Sequence, residues 1–439
     1  MKRHTAKLPL LGVIFQLAAI WIVVFPQVHV FAASPDDKQT PLTVGSGGAN
    51  FSTVQAAIDA ATAGQIIEVR SGTYRENIKV DKQVVLRGVD TGAGKPVIDG
   101  GGRLSAITLS ADQITLEGFK VTGSGKKFGD AGILVTSKNN TIRNNTAVKN
   151  HTGVMLQRCS RNTVAGNDAS ENYNDGICLI GAAQNTITAN TANSNKHAGV
   201  WLDSYKHRGP PEPADHNTMD GNTANDNASM GIALNTGADD NIVKNNRTSG
   251  NGDSGILINC GPMRNSISEN MVNNNLKTGI LFTAAGPGNR IVANQVQENQ
   301  NGIEVLSSSG NIFTSNQIGG NRDYGIRADQ MTPMHFLSTM CVFSLNNLID
   351  NKINAHDASG KPWQPPANMP MMDPATIKML SAPNQWDDGI KGNHYSDFTK
   401  PGEGCVDANK DGVSDNPHPI PGGAAVDRFP LVSPLTNKK

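Results

Sequence analysis

A glycine followed by isoleucine or valine recurs nine times between Gly132 and Gly325, at intervals of 21 to 32 residues that are mostly 23 or 24. The residues one and three positions after each glycine are apolar, as in Ile177 and Leu179 after Gly176. This period of two, rich in β-branched residues, predicts a strand whose alternate side chains point inward.

A second pattern, Asn-x-apolar-x-x-Asn, recurs in step with the first, from Asn140/Asn145 to Asn346/Asn351. Two further inward columns accompany it. A sequence period of 20–50 residues is typical of a solenoid. Three short strands per coil, with Asn and Gly at the corners, predict an all-β, right-handed parallel β-helix of about twelve coils, regular over residues 129–354. Asn suits such corners because it tolerates left-handed backbone and its amides can stack in a ladder.

The two ends of the solenoid are predicted to differ from its middle. Residues 42–128 read as an N-terminal cap and irregular coils, in which Ser52-Thr53-Val54-Gln55 forms a capping box that opens a short helix. An apolar helix face would cover the exposed edge strands of the first coil. The repeat stops near residue 354, and residues 355–439 form a Pro- and Met-rich segment and a separate module that folds back onto the last coils.

The first 33 residues combine a basic start, an apolar stretch over residues 8–25 and small residues near Ala32. This arrangement predicts a secretory signal peptide over residues 1–33, followed by a linker over 34–41. An uncleaved membrane anchor is the alternative, because the apolar stretch approaches a spanning length. In both cases the solenoid lies outside the cytoplasm, in the periplasm, at the cell surface or in the medium.

Lys and Arg total 38, as do Asp and Glu, so the formal net charge is zero. A nucleic-acid-binding protein would show a basic excess, so that class is disfavoured. Asn and Gly together account for 93 residues, which suits tight turns rather than helices. Five cysteines allow at most two disulfides, and one between Cys341 and Cys405 would tie down the C-terminal segment.

The N-terminal segments over residues 54–61, 72–78 and 97–102, together with the Asn-Thr-Ile coils, resemble the NosD-type parallel β-helix proteins. The segment Gly392–Phe398 and the C-terminal residues beyond it resemble the last module of secreted NosD-like proteins, except that His394-Tyr395 stands where a Tyr-Trp pair is usual. The resemblance implies a pectin-lyase-like fold and a surface location. Its members include a periplasmic copper-maturation protein, sugar-modifying enzymes and cell-surface proteins, so the activity stays open.

A calcium loop is predicted near the C-terminus. Oxygen-bearing side chains occupy positions 1, 3, 5 and 9 of a loop with glycine at position 6, the pattern of the first part of a Ca²⁺ loop. His418 stands at position 12, so a carboxylate such as Asp397 or Asp427 would have to complete the shell. The predicted ligands are Asp407, Asn409, Asp411 and Asp415.

The strongest candidate for a ligand site is an apolar stripe two positions after each repeat glycine, predicted to point outward. An exposed apolar stripe marks a contact surface, which a carbohydrate ring, the C-terminal segment or a second copy of the chain could cover. Its members include Leu134, Met155, Cys178, Trp201, Ala233, Leu257 and Leu281.

Acids, bases and an aromatic ring converge beside Trp201, which favours a polysaccharide site. Elimination and epimerisation need a base and a group that neutralises a carboxylate, whereas hydrolysis needs two carboxylates. The candidate catalytic residues are Asp203, Asp175, Lys206, His207, Arg208 and His197. The candidate substrate-binding residues are Trp201, His151, Gln157, Asn235 and Asn259.

Two other functions compete with polysaccharide binding, catalytic or not. Soft thioether and thiolate ligands select Cu(I), so a copper-handling accessory protein is one rival. A surface or adhesion protein in which the solenoid acts as a spacer is the other. The candidate copper ligands are Met331, Met334, His335, Met340 and Cys341.

Overall fold

The computed structural model describes residues 40–205, 211–331, 336–361 and 373–436. The predicted signal peptide lies outside these residues. Parallel strands stack coil upon coil into three sheets, so each strand pairs with its equivalent one repeat away. The parallel β-helix of about twelve coils is thereby confirmed. All of the described coils and the C-terminal segment belong to one compact unit, Thr40–Lys439.

The first sheet lines one side of the solenoid and buries the middle residue of nearly every strand. Its thirteen described strands are Leu42–Val44, Ile66–Arg70, Val85–Val89, Thr115–Glu117, Thr141–Arg143, Thr163–Ala165, Thr186–Thr188, Thr218–Asp220, Ile242–Lys244, Ser266–Ser268, Arg290–Val292, Ile312–Thr314 and Val342–Ser344.

The second sheet contains the Gly-Ile/Val strands and carries the candidate site. Its twelve described strands are Ile78–Val80, Ile107–Leu109, Ala131–Val135, Thr152–Gln157, Ile177–Ile180, Ala198–Asp203, Met230–Leu234, Ser254–Asn259, Thr278–Thr283, Asn301–Leu306, Tyr324–Asp329 and Ile353–Asp357. The repeat glycine is needed because a Cβ on Gly176 would lie 2.7 Å from the carbonyl oxygens of Ala169 and Gly199.

The third sheet has shorter strands in two groups, which isolated bridges through Asp168, Thr191 and Thr223 connect. Its described strands are Thr73–Tyr74, Val97–Asp99, Lys120–Thr122, Thr146–Ala147, Arg247–Ser249, Met271–Asn273, Gln295–Gln297, Gln317–Gly319, Asn347–Ile349 and His394–Tyr395.

Three buried asparagine ladders run along the corners, one more than the sequence pattern predicted. In each, the backbone N–H of an asparagine donates to the side-chain oxygen of its successor, as from Asn140 to Asn162 at 2.9 Å. The first ladder begins at Asn140 and the second at Asn145; the third, at Asn150, was missed. Its members are Asn150, Asn172, Asn195, Asn227, Asn251, Asn275, Asn299, Asn321 and Asn351.

The expectation that ladder asparagines adopt left-handed backbone is wrong. The left-handed residue is the one before each ladder position, such as Asn144 with φ 55° and Lys149 with φ 58°. Asparagine is favoured at the ladder positions because its side-chain amide satisfies backbone groups that would otherwise be buried without partners.

The ladders fix the length of two sides of every regular coil. Successive ladder positions within a coil, such as Asn140, Asn145 and Asn150, are always five residues apart. The remaining stretch contains the second-sheet strand and runs from a third-ladder position to the first-ladder position of the next coil. The separation of these two positions varies from 12 to 22 residues. All length variation among the regular coils therefore falls on the side that contains the second sheet.

The N-terminal helix spans Val54–Ala60 and packs against the first strands, as expected. Its capping differs from the predicted box, because the N-cap is Thr53 rather than Ser52. The carboxylate of Glu76 accepts the backbone N–H groups of Val54 and Gln55 at 2.9 Å. A side chain from a neighbouring coil thus accepts two of the N–H groups that the first helical turn leaves without partners.

The C-terminal segment closes the last coil. Asn393 continues the second ladder after Asn346, and the strand His394–Tyr395 extends the third sheet. Trp386 stacks on Phe343 with ring centroids 4.5 Å apart and donates its indole N–H to Asp357 at 2.7 Å. The remaining described elements are the helix Pro374–Leu380, the 3₁₀ helix Pro401–Glu403 and the antiparallel pair His418–Pro419 and Val426–Asp427.

Candidate functional site

A cleft of about 500 Å³ opens on the second sheet beside Trp201. Four residues that the sequence brought together line it. They are Asp175, His197, Trp201 and Asp203. The register explains the grouping, because Ile177–Ile180 pairs directly with Val200–Asp203 on the next coil.

Asp175 is almost completely buried and holds His197 in place. Its Oδ1 atom lies 2.7 Å from His197 Nδ1 and also accepts the backbone N–H of Ala198 at 3.2 Å. Its Oδ2 atom accepts the side-chain N–H of Asn174 at 2.9 Å. Both oxygens of Asp175 therefore accept hydrogen bonds, and its side chain holds the imidazole of His197 in position.

His197 is the group in this cleft best suited to exchange a proton. The hydrogen bond to Asp175 raises the pKa of the imidazole above its ordinary value, although burial opposes this effect. About a third of the side chain, 34%, is accessible. When the Asp175 carboxylate accepts a hydrogen bond from Nδ1, that nitrogen carries a proton. Nε2 is then the ring nitrogen that can take up or release a proton.

Trp201 provides the aromatic wall of the cleft. Its ring centroid lies 4.6 Å from that of His197, with the planes inclined by 49°. The indole is partly buried and contacts two apolar clusters, one around Met155 and Cys178 and the other around Ala233 and Leu257. These contacts fix the ring while part of it stays open to the cleft.

The floor of the cleft contains a neutral thiol. Burial raises the pKa of Cys178 well above its ordinary value, and the nearby Asp175 and Asp203 raise it further. The thiol therefore stays protonated at neutral pH and cannot serve as a nucleophile. Lys206, His207 and Arg208, the predicted basic partners, lie outside the described residues.

The insertion after Trp201 is anchored back across two coils. Tyr205 and Glu212 exchange both backbone hydrogen bonds, at 2.8 and 2.9 Å. The carboxylate of Glu212 pairs with the guanidinium of Arg158, whose Nη2 atom lies 2.6 Å from Oε1. Gly181 lies on the coil between those of Arg158 and Tyr205 and has φ +58°. A Cβ at this position would lie 2.6 Å from the Cβ of Tyr205.

Gln157 lies at a second, neighbouring cleft of about 400 Å³ rather than at the first. Three other predicted substrate-binding residues are not part of the described lining of either cleft. Asn235 is buried and bonds to the backbone of Leu202, and Asn259 donates to Asn235 at 3.3 Å. His151 lies within 3.5 Å of the hydroxyl of Thr152. Asn235 and Asn259 therefore link the ends of neighbouring strands within the sheet.

The apolar stripe has the predicted register but is mostly not exposed. Met155, Cys178, Ala233 and Leu257 are at most 8% accessible, because side chains of neighbouring coils pack on one another. The described C-terminal residues pair with strands of the last coil rather than with this stripe. The described residues of the C-terminal segment therefore do not cover the stripe.

Sequence reasoning missed several lining residues. Phe128, which is 71% accessible, reaches the cleft from an irregular loop before the first regular coil. Tyr205 and Ser204 begin the insertion after Trp201, from which only Lys206, His207 and Arg208 were predicted to contribute. The other missed lining residues are Asn174, Ile180 and Thr236.

The predicted calcium loop curls around its own side chains. Oxygens of Asp407, Asn409, Asp411 and Asp415 each accept a backbone N–H of the loop. In the described part of the chain, no three His, Cys, Asp or Glu side chains are grouped so as to hold a metal ion. Calcium binding therefore stays a prediction.

One expectation about the loop's surroundings needs correction. Asp427 cannot complete a calcium shell, because it is buried against Asn393, Tyr395 and Phe429. His418 packs between the rings of Tyr395 and Phe398.

The predicted copper ligands are not brought together in the described residues. Cys341 occupies the next position of the first ladder, and its thiol donates to the carbonyl of Ser308 at 3.4 Å. Burial raises the pKa of this thiol to about 12. Met340 is 43% exposed, and Met331 donates its backbone N–H to Ser307. Met334 and His335 lie outside the described residues.

All five cysteines are free thiols, so the expected bond between Cys341 and Cys405 is wrong. Both side chains are buried. The C-terminal segment is held instead by the second ladder and by the aromatic stack on Phe343.

Two families match the sequence. One, described as "Right handed beta helix region", matches residues 105–272, and the other, described as "Periplasmic copper-binding protein (NosD)", matches residues 213–400. Over these residues the chain is similar to NosD-like right-handed β-helix proteins. The first match agrees with the predicted handedness. Neither described α-helix has the length and hydropathy of a membrane-spanning segment.

One curated relative matches a short part of this chain. It is a probable pectinesterase/pectinesterase inhibitor 17 from Arabidopsis thaliana, 33% identical over 129 residues. The match covers 29% of the chain and 22% of the relative.

Several solved structures share the fold. The A-module of mannuronan C-5 epimerase AlgE4 from Azotobacter vinelandii has a TM-score of 0.54 at 17% identity, covering 71% of this chain and 95% of its own. The AlgE6 A-module from the same organism also gives 0.54 at 17% identity, covering 68% and 90%. The catalytic domain of a GH87 alpha-1,3-glucanase in complex with tetrasaccharides gives 0.52 at 14% identity, covering 82% and 70%. At these identities the likeness establishes the fold alone.

Proposed function

We propose that this protein binds an extracytoplasmic polysaccharide in the Trp201 cleft and that His197 transfers a proton on the bound sugar. The observation that carries the proposal is the placement of a carboxylate-held imidazole 4.6 Å from the tryptophan ring, in one cleft of about 500 Å³. The polysaccharide-acting structures that share the fold support it.

The cleft combines the two kinds of contact that a sugar requires. An indole face packs against the C–H groups of a pyranose ring, while hydroxyls need convergent polar groups. Asn174, Asp203 and Ser204 supply such polar groups in the described lining. The ring of Trp201 is held by apolar packing on both sides, so little freedom is lost when a ligand stacks on it.

His197 has the chemistry of a general acid or base. The hydrogen bond to Asp175 raises its pKa, and imidazole is the side chain whose ordinary pKa lies closest to neutral pH, where an acid–base group works best. Cleavage and epimerisation of a sugar chain both require such a transfer. Asp203 lines the same cleft as a second carboxylate, while Asp175 acts through His197 by fixing its orientation.

The test is affinity electrophoresis of residues 34–439 through gels containing alginate, polygalacturonate, xylan or soluble starch. One polymer should retard the protein, and Trp201→Ala should abolish the retardation. Leu276→Ala removes an exposed apolar side chain outside the cleft and should leave it unchanged. Retardation that survives Trp201→Ala, or none by any polymer, would overturn the assignment.

The proton-transfer step is tested separately on the polymer that is retained. His197→Gln should preserve retardation while abolishing any change in reducing ends, in absorbance of an unsaturated product or in uronate composition. If the His197→Gln protein still forms such a product at the wild-type rate, His197 is not the proton-transferring group.

Copper handling is the second candidate, and the match of residues 213–400 to the family described as a periplasmic copper-binding protein favours it. Titration with Cu(I) under anaerobic conditions tests it. Tight binding lost in the Met334→Ala/His335→Ala variant would establish a copper site there. The buried thiol of Cys341 is not expected to contribute.

A further inference from the structure

Tyr205 lines two clefts at once. On one side is the Trp201 cleft, and on the other is the second cleft of about 400 Å³, lined by Thr136, Gln157, Arg158, Tyr205 and Glu212. Each volume lies within the range of roughly 300–1,000 Å³ that small-molecule sites show. A single sugar unit occupying the first cleft would leave the second unfilled.

The boundary between the clefts is a built feature. Three contacts fix the base of the insertion over the preceding coils. They are the backbone pair Tyr205–Glu212, the ion pair Arg158–Glu212 and the close packing of Tyr205 on Gly181, which has no side chain. The guanidinium of Arg158 also lies 5.1 Å from the centroid of the Tyr205 ring. These contacts orient the phenol ring as a common wall.

The second cleft is suited to hydroxyl groups. Gln157 ends the strand Thr152–Gln157 and is only partly buried, so its amide can both donate and accept hydrogen bonds. The charge of Arg158 is compensated by the bidentate contact with Glu212, at 2.6 to 2.9 Å. The described lining of this cleft therefore presents polar groups without an uncompensated charge.

We infer that the two clefts are consecutive subsites for one sugar chain, which crosses the Tyr205 wall and is recognised in the second cleft by Gln157. This inference rests on the proposed function of the Trp201 cleft and extends it to the substrate class. The ligand is a chain of several units that is bound internally, rather than a monosaccharide or a single chain end.

The experiment measures affinity against chain length. Mono- to hexasaccharides, size-fractionated from the retained polymer, are titrated calorimetrically into the wild type, Gln157→Ala and Trp201→Ala. The matched control is Gln297→Ala, which removes an exposed glutamine from the third sheet. Thermal melts of each variant verify that the fold is kept.

We expect the wild-type affinity to rise at least tenfold between the monosaccharide and the tetrasaccharide. Gln157→Ala should lose most of that gain while binding the monosaccharide as the wild type does, and Gln297→Ala should behave as the wild type. Trp201→Ala should weaken every length.

Two results would overturn the two-subsite inference while leaving the Trp201 site intact. One is an affinity independent of chain length that Trp201→Ala still abolishes. The other is a length-dependent gain that Gln157→Ala does not change. Failure of the Trp201 site is recognised separately, because binding of every length would then survive Trp201→Ala or be absent in the wild type.

Discussion

The Nδ1 atom of His197 lies 2.7 Å from the Oδ1 atom of Asp175, a residue on the preceding coil whose side chain is 3% accessible. This contact spans two coils, so it depends on the stacking register of the solenoid. We predict that Asp175→Asn lowers the pKa of His197, because the hydrogen bond to the carboxylate is the largest cause of its elevation. An NMR titration of the imidazole measures the change.

Asp253→Asn is the control for this titration, since Asp253 lies two coils beyond His197 at the equivalent position and pairs with Lys277. It should leave the pKa of His197 unchanged.

The pair of His197 and Asp175 also makes the stability of the fold depend on pH. Because the folded-state pKa of His197 lies above its unfolded value of about 6.5, the contribution is fully present below that pH and is lost as the pH rises through the folded-state pKa. The Tm difference between wild type and Asp175→Asn should thus be larger at pH 5.5 than at pH 8.5, and an equal difference would contradict the linkage.

Asp427 should give the opposite kind of pH dependence. Burial raises its pKa to about 7, despite the hydrogen bonds that it accepts from Asn393, Phe429 and Tyr395. The folded protein then holds a proton that the unfolded chain releases above about pH 4, so stability falls by roughly 1.4 kcal/mol per pH unit between about pH 4 and 7. Asp427→Asn should remove this slope in denaturant-unfolding curves.

The exposed Asp388 lies in the same C-terminal segment and caps a turn through Ile390 and Lys391. Asp388→Asn should preserve the wild-type slope. If Asp427→Asn keeps the full slope as well, another group is responsible for it.

The second asparagine ladder should be sensitive to a single truncation. Asn246 accepts the backbone and side-chain N–H groups of Asn222 and donates to the carbonyl of Met219. Asn246→Ala leaves these buried groups unpaired, at roughly 1–3 kcal/mol each. The predicted result is a clear fall in Tm.

The adjacent residue is the natural comparison. Asn245 is exposed and left-handed, with φ 56°, a conformation that glycine adopts readily. Asn245→Gly should therefore change the Tm little. Equal effects of the two substitutions would show that the ladder amide is not what matters.

We propose that the loop over residues 407–415 binds Ca²⁺ in a structural role. Calcium at millimolar concentration should then raise the Tm of the wild type, and EGTA should reverse the shift, because a ligand that binds only the folded state stabilises it. Asp407→Ala/Asp411→Ala should abolish the calcium effect. A Tm unaffected by calcium and EGTA would refute the proposal.

The strands and inward columns could be predicted because their two-residue period repeats nine times. The third ladder was also visible in the sequence, five residues after the second, because Asn145-x-Ala147-x-x-Asn150 repeats the pattern that defined the first two ladders. The ladder position of Cys341 follows from its distance of 30 residues from Asn311, the same distance that separates Asn316 from Asn346.

The site was predictable only in part, because its geometry arises between coils. Sequence reasoning grouped Asp175, His197 and Trp201, since a fixed repeat brings equivalent positions together. It could not show that Asp175 faces His197 or that Met155 and Cys178 are covered by their neighbours. Phe128 comes from an irregular loop, where no period exists to place it.

The constant five-residue spacing of the ladders divides the solenoid into parts with different freedom to change. An insertion on the first or third sheet would break the five-residue spacing of its coil and displace an amide of that coil from its stack. On the second sheet, the insertion at Tyr205–Glu212 and a similar one closed by the Gln330–Leu337 bridge leave the stacks undisturbed. New specificity, whether it arises by natural variation or by loop grafting, is therefore confined to the side that already contains the cleft.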